Sequence, residues 1–221
     1  MSEEASRKLS ERRNGPRWAF AWIWISLVSA ALLPVQSALA AETYANFVVR
    51  INHSLPDGSR FRADLEEQLL RAANEYRVGR GLKPLKRAAA DLAQAARAHA
   101  ADMMQGEFVG HTSTSGAGFE SRMRALHPGV MVLPRMAENA ARERSKGAAD
   151  AAKAGKLFQQ WVKSSAHAKT MRSRDYIAVA TGVVEKDEKL YAVQIFMGPE
   201  VKTNMFGAKP QKAADENETL Y

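Results

Sequence analysis

The order of hydrophobic patterns along the chain constrains its fold more than any other feature. Apolar residues recur at helical spacing in residues 62–79 and 88–104, and a third helical stretch covers residues 148–164. Two β-rich stretches, residues 177–184 and 190–197, follow the helices, with a charged segment between them that suits a hairpin turn. Helices grouped before a terminal hairpin favour an α+β fold of stacked layers over a doubly wound parallel sheet.

Shorter segments connect these elements. Residues 44–51 have β-branched and aromatic character, which predicts a short strand or an extended arm. Residues 106–118 are rich in Gly, Ser and Thr and predict a loop, and residues 119–126 predict a short helix. We expect residues 130–133 to be extended and residues 138–144 to begin another helix.

The composition is that of one folded domain. An apolar fraction of 46% with 25% charged residues in 221 residues is ordinary for a globular protein. The chain has no cysteine, so its fold does not depend on disulfides, and thiolate catalysis and cysteine metal ligation are excluded.

The first forty residues have the three parts of a secretory signal peptide. A basic segment precedes the apolar run from Trp18 to Leu33, and Ala38-Leu39-Ala40 supplies a small-x-small cleavage site. The apolar run is short for a membrane span, which needs about twenty residues. We therefore predict cleavage after Ala40 and a secreted or periplasmic protein; the alternative is an uncleaved segment that tethers the domain to the inner membrane. The predicted organisation has four parts: a signal peptide at residues 1–40, an N-terminal arm at 41–61, one domain at 62–206 and a disordered tail at 207–221.

The formal net charge of +8 does not indicate a nucleic-acid partner. The first forty residues hold five basic and three acidic residues, so roughly +6 lies in the remainder. This charge is scattered along the chain and no aromatic residues are interleaved with it, so we expect no nucleic-acid binding.

The five histidines are the first candidates for chemistry. His53 and His127 lie beside turns, and His99 lies on the apolar stripe of a helix, which is typical of a core or cavity-edge histidine. His111 and His167 each lie in a segment with Ser next to a helix end, and spacing alone leaves their function open.

Five segments in order resemble the motifs of the CAP superfamily of cysteine-rich secretory, antigen 5 and pathogenesis-related proteins. They are Asn74-Glu75-Tyr76-Arg77 with Gly81-Leu82-Lys83-Pro84-Leu85, the helix with Leu92, Ala96, His99, Ala100 and Met103, then Gly110-His111-Thr112-Ser113, Ala137-Glu138-Asn139-Ala140-Ala141, and Trp161-x-x-Ser164-Ser165-Ala166-His167. The chain is thereby identified as a member of the cysteine-free bacterial branch.

The resemblance implies a three-layer α-β-α sandwich with a central cleft in which two histidines and two acids converge. On this chain the histidines are His111 and His167 and the first acid is Glu138. Ser164 stands where many relatives have the second acid, so a triad replaces the tetrad. We expect these four residues and Asn139 to line the cleft.

Such a triad suits two kinds of chemistry. Two imidazoles and a carboxylate suffice for an open zinc site, in which His111 and His167 are the expected metal ligands. The same groups could act as general base and orienting acid, in which case His111, Glu138 and His167 are the catalytic residues. A third interpretation is a buried hydrogen-bonded network that only shapes the cleft.

Binding is the expected function. The chain lacks the zincin, nucleophile-elbow and P-loop motifs, and Ser113 and Ser115 have no Asp in a recognisable arrangement beside them. The resemblance implies lipid binding in some members, so the first hypothesis is a binding module for a lipid, glycan or protein ligand of the cell envelope. The alternatives are a metal-assisted or general-base hydrolase and a secreted interaction protein.

Overall fold

The two terminal strands predicted from the sequence form the centre of a five-stranded sheet in the computed structural model, which describes residues 42–201. The helices are α1 (Tyr44–His53), α2 (Ala63–Val78), α3 (Ala90–Gln105), α4 (Phe119–Leu126), α5 (Ala151–Lys163) and α6 (Ser165–Arg172). The strands are β1 (Ser59–Phe61), β2 (Lys86–Arg87), β3 (Met136–Glu143), β4 (Ala178–Lys186) and β5 (Lys189–Met197).

The strand order places β3 at one edge of the sheet. β4 and β5 form an antiparallel hairpin, and β3 pairs antiparallel with the outer side of β5. β1 and β2 both pair with the other side of β4, at its opposite ends.

Helices cover both faces of the sheet, as the α-β-α resemblance implied. One core contains residues of α1, α3 and α4, and the other contains residues of α2, α5 and α6. Successive strand residues point to opposite faces, so Ala140 of β3 lies in the first core and Ala141 in the second. The α+β prediction and the layered architecture are confirmed.

One glycine sets the distance between the sheet and α3. A Cβ built on Gly182 of β4 would lie 2.2 Å from the amide nitrogen of Arg97 and 2.3 Å from the carbonyl carbon of Ala96. The helix backbone therefore rests directly on the strand, and only glycine fits at this crossing.

Two predicted elements are wrong in type. Residues 44–51 form helix α1 because Tyr44, Val48 and Ile51 are buried at helical spacing and the Thr43 side chain caps the first turn. Residues 138–144 belong mostly to strand β3, since pairing with β5 overrides the helix preference of Ala and Glu. Residues 130–133 form no regular strand, and α6 was not predicted.

The segment predicted as an N-terminal arm contributes α1 and β1 to the structure. α1 packs in the same core as α3, and β1 pairs with β4. The predicted signal peptide and C-terminal tail lie outside the described residues. Within residues 42–201, no helix has the length and apolar character needed to cross a bilayer.

Candidate functional site

The candidate site lies at the β3 edge, where segments from the two helical layers meet. His111 comes from the loop after α3, in the layer on one face, and His167 lies in the first turn of α6, in the layer on the other face. Glu138 lies on β3 between them. The structure thus brings together three residues that are distant in sequence.

Glu138 is buried and paired with an arginine that sequence analysis missed. Both carboxylate oxygens accept hydrogen bonds of 2.9 Å from Nη2 of Arg122, on α4. The exposed fractions of the Arg122 and Glu138 side chains are 0% and 1%. Arg122 lies within the apolar stripe formed by Phe119, Met123 and Leu126, and a basic residue inside such a stripe is the sequence signal that could have identified it.

The same carboxylate orients His111. Nδ1 of His111 lies 3.0 Å from Oε1 of Glu138. Because the carboxylate only accepts, Nδ1 carries the proton and Nε2 of the neutral ring is an acceptor. The hydrogen bond to Glu138 raises the pKa of His111, and burial opposes this rise without cancelling it. Half of the side chain, 53%, is exposed.

His99 holds the loop that carries His111 by a hydrogen bond to its backbone. Its Nε2–H donates to the carbonyl oxygen of Gly110 at 2.9 Å, and its side chain is fully buried. Burial lowers the pKa of His99. His99 is therefore a buried histidine that fixes the backbone immediately before His111, in line with its interpretation as a core or cavity-edge residue.

His167 is the second imidazole of the site. Its ring centroid lies 6.5 Å from that of His111, with the planes at 66°. Burial lowers the pKa of His167, and the nearby His111 lowers it further. Ser164 caps α6 by accepting from the backbone amide of His167 at 3.5 Å.

Asn139 lies beneath the site rather than in it. Its side chain has no exposed surface and points away from Glu138, to the opposite face of the sheet. Nδ2 donates to the carbonyl oxygen of His167 at 3.4 Å. The expectation that Asn139 lines the cleft is corrected: its side chain is buried and bonds to the backbone of α6.

A depression of about 390 Å³ opens beside His167. Its lining residues are Val109, Ala140, Ala141, Arg142, Arg144, Gln160, Trp161, Ser164 and His167. His111 and Glu138 do not line it. The three residues therefore do not share one cleft as expected: His167 lines the depression, and the carboxylate of Glu138 is buried outside it.

The residues do not fit a three-ligand zinc site. Both oxygens of Glu138 are engaged by Arg122, and the carboxylate is shielded from solvent. No group of three potential ligands is arranged around a metal position within residues 42–201. The imidazoles of His111 and His167 remain as potential metal ligands. Glu138 orients His111 by a hydrogen bond, as carboxylates commonly do for a histidine that binds a metal.

Among residues 42–201, the hydroxyls near the site serve structural hydrogen bonds. Ser113 bonds to Ser115 at 2.7 Å and to the carbonyl of Ala117, and Ser164 is used as a helix cap. In the described part of the chain, neither His111 nor His167 has a side-chain hydrogen bond to a serine or threonine.

The other histidines lie elsewhere. His53 is exposed at the end of α1, as expected from its position beside a turn. His127 is partly buried and its Nδ1 lies 3.9 Å from Oδ2 of Asp91.

We expect His111 to titrate at a higher pH than His167. A raised pKa in the folded state means that protonation of His111 stabilises the fold at low pH, and this contribution disappears as the pH rises through that pKa. The lowered pKa of His167 has the opposite sign, so its contribution is lost as the pH falls. NMR titration of the two imidazole Hε1 signals measures both midpoints, and coincident or inverted midpoints would contradict the geometry.

The family model described as the cysteine-rich secretory protein family, CAP, matches residues 70–196. No curated protein sequence matches the chain.

Two solved structures share the fold. An outer surface protein from Borrelia burgdorferi superposes with a TM-score of 0.53 and 15% identity, covering 64% of this chain and 99% of that protein. An extracellular protein containing an SCP domain, from Bacillus anthracis str. Ames, gives a TM-score of 0.50 and 21% identity over 62% of this chain. The chain spans only 41% of the length of the Bacillus anthracis protein. The family match covers more than half of the chain and includes all three candidate residues, and the chain therefore belongs to the CAP family of cysteine-rich secretory proteins.

Proposed function

We propose that the domain is an exported binding module that holds an acidic group of a cell-envelope lipid or glycan at His111 and His167. The observation that supports it is the state of Glu138. Because Arg122 neutralises this carboxylate and burial hides it, the groups that a ligand meets are imidazoles, one of them with a raised pKa. Once protonated, His111 donates from Nε2 as well as from Nδ1, and this cationic ring suits an acidic acceptor.

The side chains around His167 also favour an acidic ligand. Arg142 and Arg144 line the depression, and Arg142 is held in place by donating to the carbonyl of Glu107 at 2.7 Å. The apolar side of the depression is formed by Val109, Ala140 and Trp161. A ligand with an acidic head and a small apolar part matches this lining.

Export is part of the proposal. The predicted signal peptide supports it, and the structural neighbours are named as an extracellular protein and an outer surface protein. Secretion and periplasmic retention both follow from cleavage after Ala40, and tethering to the inner membrane follows if the segment stays uncleaved.

The test is mass spectrometry of lipids and glycans that co-purify with the protein from its own envelope. We expect the wild type to carry an acidic ligand and the His111→Gln/His167→Gln variant to lose it. The variant His53→Gln, which changes an exposed histidine far from the site in sequence, is the control and should keep the ligand. An unchanged ligand in the double variant would rule out this site.

A weak metal site of the two imidazoles is a second proposal for the same residues. His111 Nε2 and His167 would hold Zn²⁺, leaving the other positions to water or to the ligand. The ion, when bound, would supply a positive charge that polarises an oxygen of the ligand.

Zinc titration calorimetry measures this directly. We expect binding that tightens as the pH rises, because the metal competes with the proton that the raised pKa of His111 retains. His111→Gln should abolish the binding and His53→Gln should not. Absence of zinc uptake by the wild type at neutral pH would refute the metal proposal while leaving the ligand proposal to its own test.

Hydrolysis is the alternative, and the His111–Glu138 pair is the observation that favours it. An imidazole oriented by a carboxylate can serve as a general base for water. Turnover of a peptide or ester library that His111→Gln abolishes would establish this alternative in place of simple binding.

A further inference from the structure

Exposed apolar side chains are concentrated at one end of the sheet. Eight large hydrophobic residues are exposed in the described part of the chain, and five of them lie at this end: Val130, Met131, Val132, Ile177 and Val201. Met131 is 86% exposed, which leaves almost the whole side chain in solvent. Isolated exposed hydrophobic residues are ordinary, but a cluster of this kind marks an interaction surface.

Backbone hydrogen bonds show that these residues share one end. Lys86 donates to the carbonyl of Ile177, and Ile177 donates to that of Met197. Gly198 donates to the carbonyl of Arg135, which follows the exposed loop of residues 130–134. These contacts run across four neighbouring strands, a width of roughly 14 Å at the usual strand spacing. We call this surface the docking end.

The exposed loop has apolar hollows on both sides. A cavity of about 670 Å³ is lined by Phe119, Met123, Met131 and Met136 among others. A second cavity, of about 470 Å³, is lined by Leu92, Val130, Met197 and Val201 among others. Residues of the loop line both cavities, so the exposed apolar surface continues on from the loop into them.

Basic side chains lie on one side of the apolar surface. A third cavity, of about 440 Å³, places the exposed Lys83, Lys86 and Arg174 around Pro84, Tyr176 and Ile177. Taken together, five exposed basic and three exposed acidic side chains line the three cavities, and Arg77 in the third cavity is buried.

Ion pairs do not remove this excess. Arg124 pairs with Glu120 and Arg135 with Asp175. Lys83, Lys86 and Arg174 have no ion pair within residues 42–201. These three cations outnumber the two acidic residues of the second cavity, Asp91 and Glu200, so the docking end keeps a net positive charge.

We infer that the docking end binds the surface of an anionic lipid bilayer. An exposed apolar loop with unpaired cations on the same end of the domain is the arrangement of proteins that rest in the membrane interface, where the apolar part enters about 5–10 Å and the cations meet the lipid phosphates. An apolar protein partner would not require the unpaired lysines. The docking end does not include His111 or His167, so this inference is independent of the ligand-binding proposal.

Binding would hold the candidate site close to the bilayer. β3 begins at the docking end with Met136, and Glu138 is two residues further, or about 7 Å along the strand.

The absence of cysteine allows a test at a single labelled position, and this test does not depend on whether the predicted signal peptide is cleaved. A nitroxide label on Met131→Cys is the only reactive label in the chain, and Val49→Cys on α1, 58% exposed, is the matched control. In vesicles of equimolar phosphatidylcholine and phosphatidylglycerol, we expect the label at 131 to become shielded from water-soluble nickel reagent and accessible to oxygen. The label at 49 should remain exposed to the nickel reagent.

The lysines give the second arm of the experiment. Replacing Lys83 and Lys86 by Gln should weaken the partitioning of the loop about fivefold for each lysine, since each cation near an anionic surface contributes about 1 kcal/mol. Equal shielding in pure phosphatidylcholine vesicles would overturn the anionic preference. A label at 131 that stays exposed with vesicles, or that is already shielded in a dimer without them, would overturn the inference.

Discussion

The variant Arg122→Met is expected to lose about 3–5 kcal/mol of the free energy of unfolding, because it leaves the buried carboxylate of Glu138 without its cation. Methionine has a similar volume, so the loss reports the uncompensated charge and not a cavity. Denaturant unfolding of the variant and wild type measures it. His111 cannot replace the arginine fully, since half of its side chain is in solvent.

The control is Arg124→Met on the same helix. Arg124 is exposed and pairs with Glu120 at the surface, so its replacement should change stability by no more than about 0.5 kcal/mol. The double variant Arg122→Met/Glu138→Gln should recover part of the loss by removing the unpaired charge. Equal effects of the two arginine substitutions would mean that the buried pair does not exist.

The second large effect is expected for Gly182→Ala. The added Cβ would lie 2.2 Å from the backbone nitrogen of Arg97, closer than any real contact, and a helix backbone cannot move aside as a flexible side chain can. We expect a loss of about 3 kcal/mol or more, at or above the upper end of ordinary overpacking. Thermal unfolding measures the change.

A glycine-to-alanine substitution at a second position should instead increase the free energy of unfolding. Gly155 lies within α5, and a Cβ there meets nothing within 4 Å. Gly155→Ala is therefore expected to stabilise the protein by about 0.5–1 kcal/mol, because alanine loses less backbone freedom in a helix. A tolerated Gly182→Ala would show that α3 does not rest on β4 as described.

Helical periodicity was sufficient for the long helices, and it failed where tertiary pairing decides the structure. α2 and α5 bury one regular stripe each, so their apolar spacing predicts them. α3 has the predicted stripe, but its second half is buried on every side, from Ala98 to Met104. β3 has the composition of a helix, and its conformation is set by eight consecutive pairs with β5. α1 has the composition of a strand and is set by a cap and three buried side chains.

The candidate site was likewise predicted only in part from the sequence. His111, Glu138 and His167 carry recognisable family motifs, and the structure places His111 and Glu138 in contact. The partner of Glu138 was not predicted, because Arg122 lies in none of the family motifs and only its position within the apolar stripe of α4 indicates that it points inward. The burial of Asn139 was missed for a related reason: the face of β3 to which a residue points depends on the strand, which had been predicted as a helix.

The pairing of Arg122 with Glu138 changes the chemistry expected of the site. An unpaired carboxylate beside two imidazoles would be a metal ligand or a proton acceptor. A carboxylate already neutralised by a buried guanidinium instead fixes the tautomer of His111 and presents Nε2 outward. This difference separates a binding surface from a three-ligand metal centre.

The tautomer of His111 in the free protein tests this account most directly. Long-range ¹H–¹⁵N NMR at a pH above its titration should show the proton on Nδ1 and a bare Nε2, with His99 in the opposite form because its Nε2 donates to Gly110. A proton on Nε2 of His111 under these conditions would mean that Glu138 does not orient the ring, and the proposed ligand-binding surface would lose its basis.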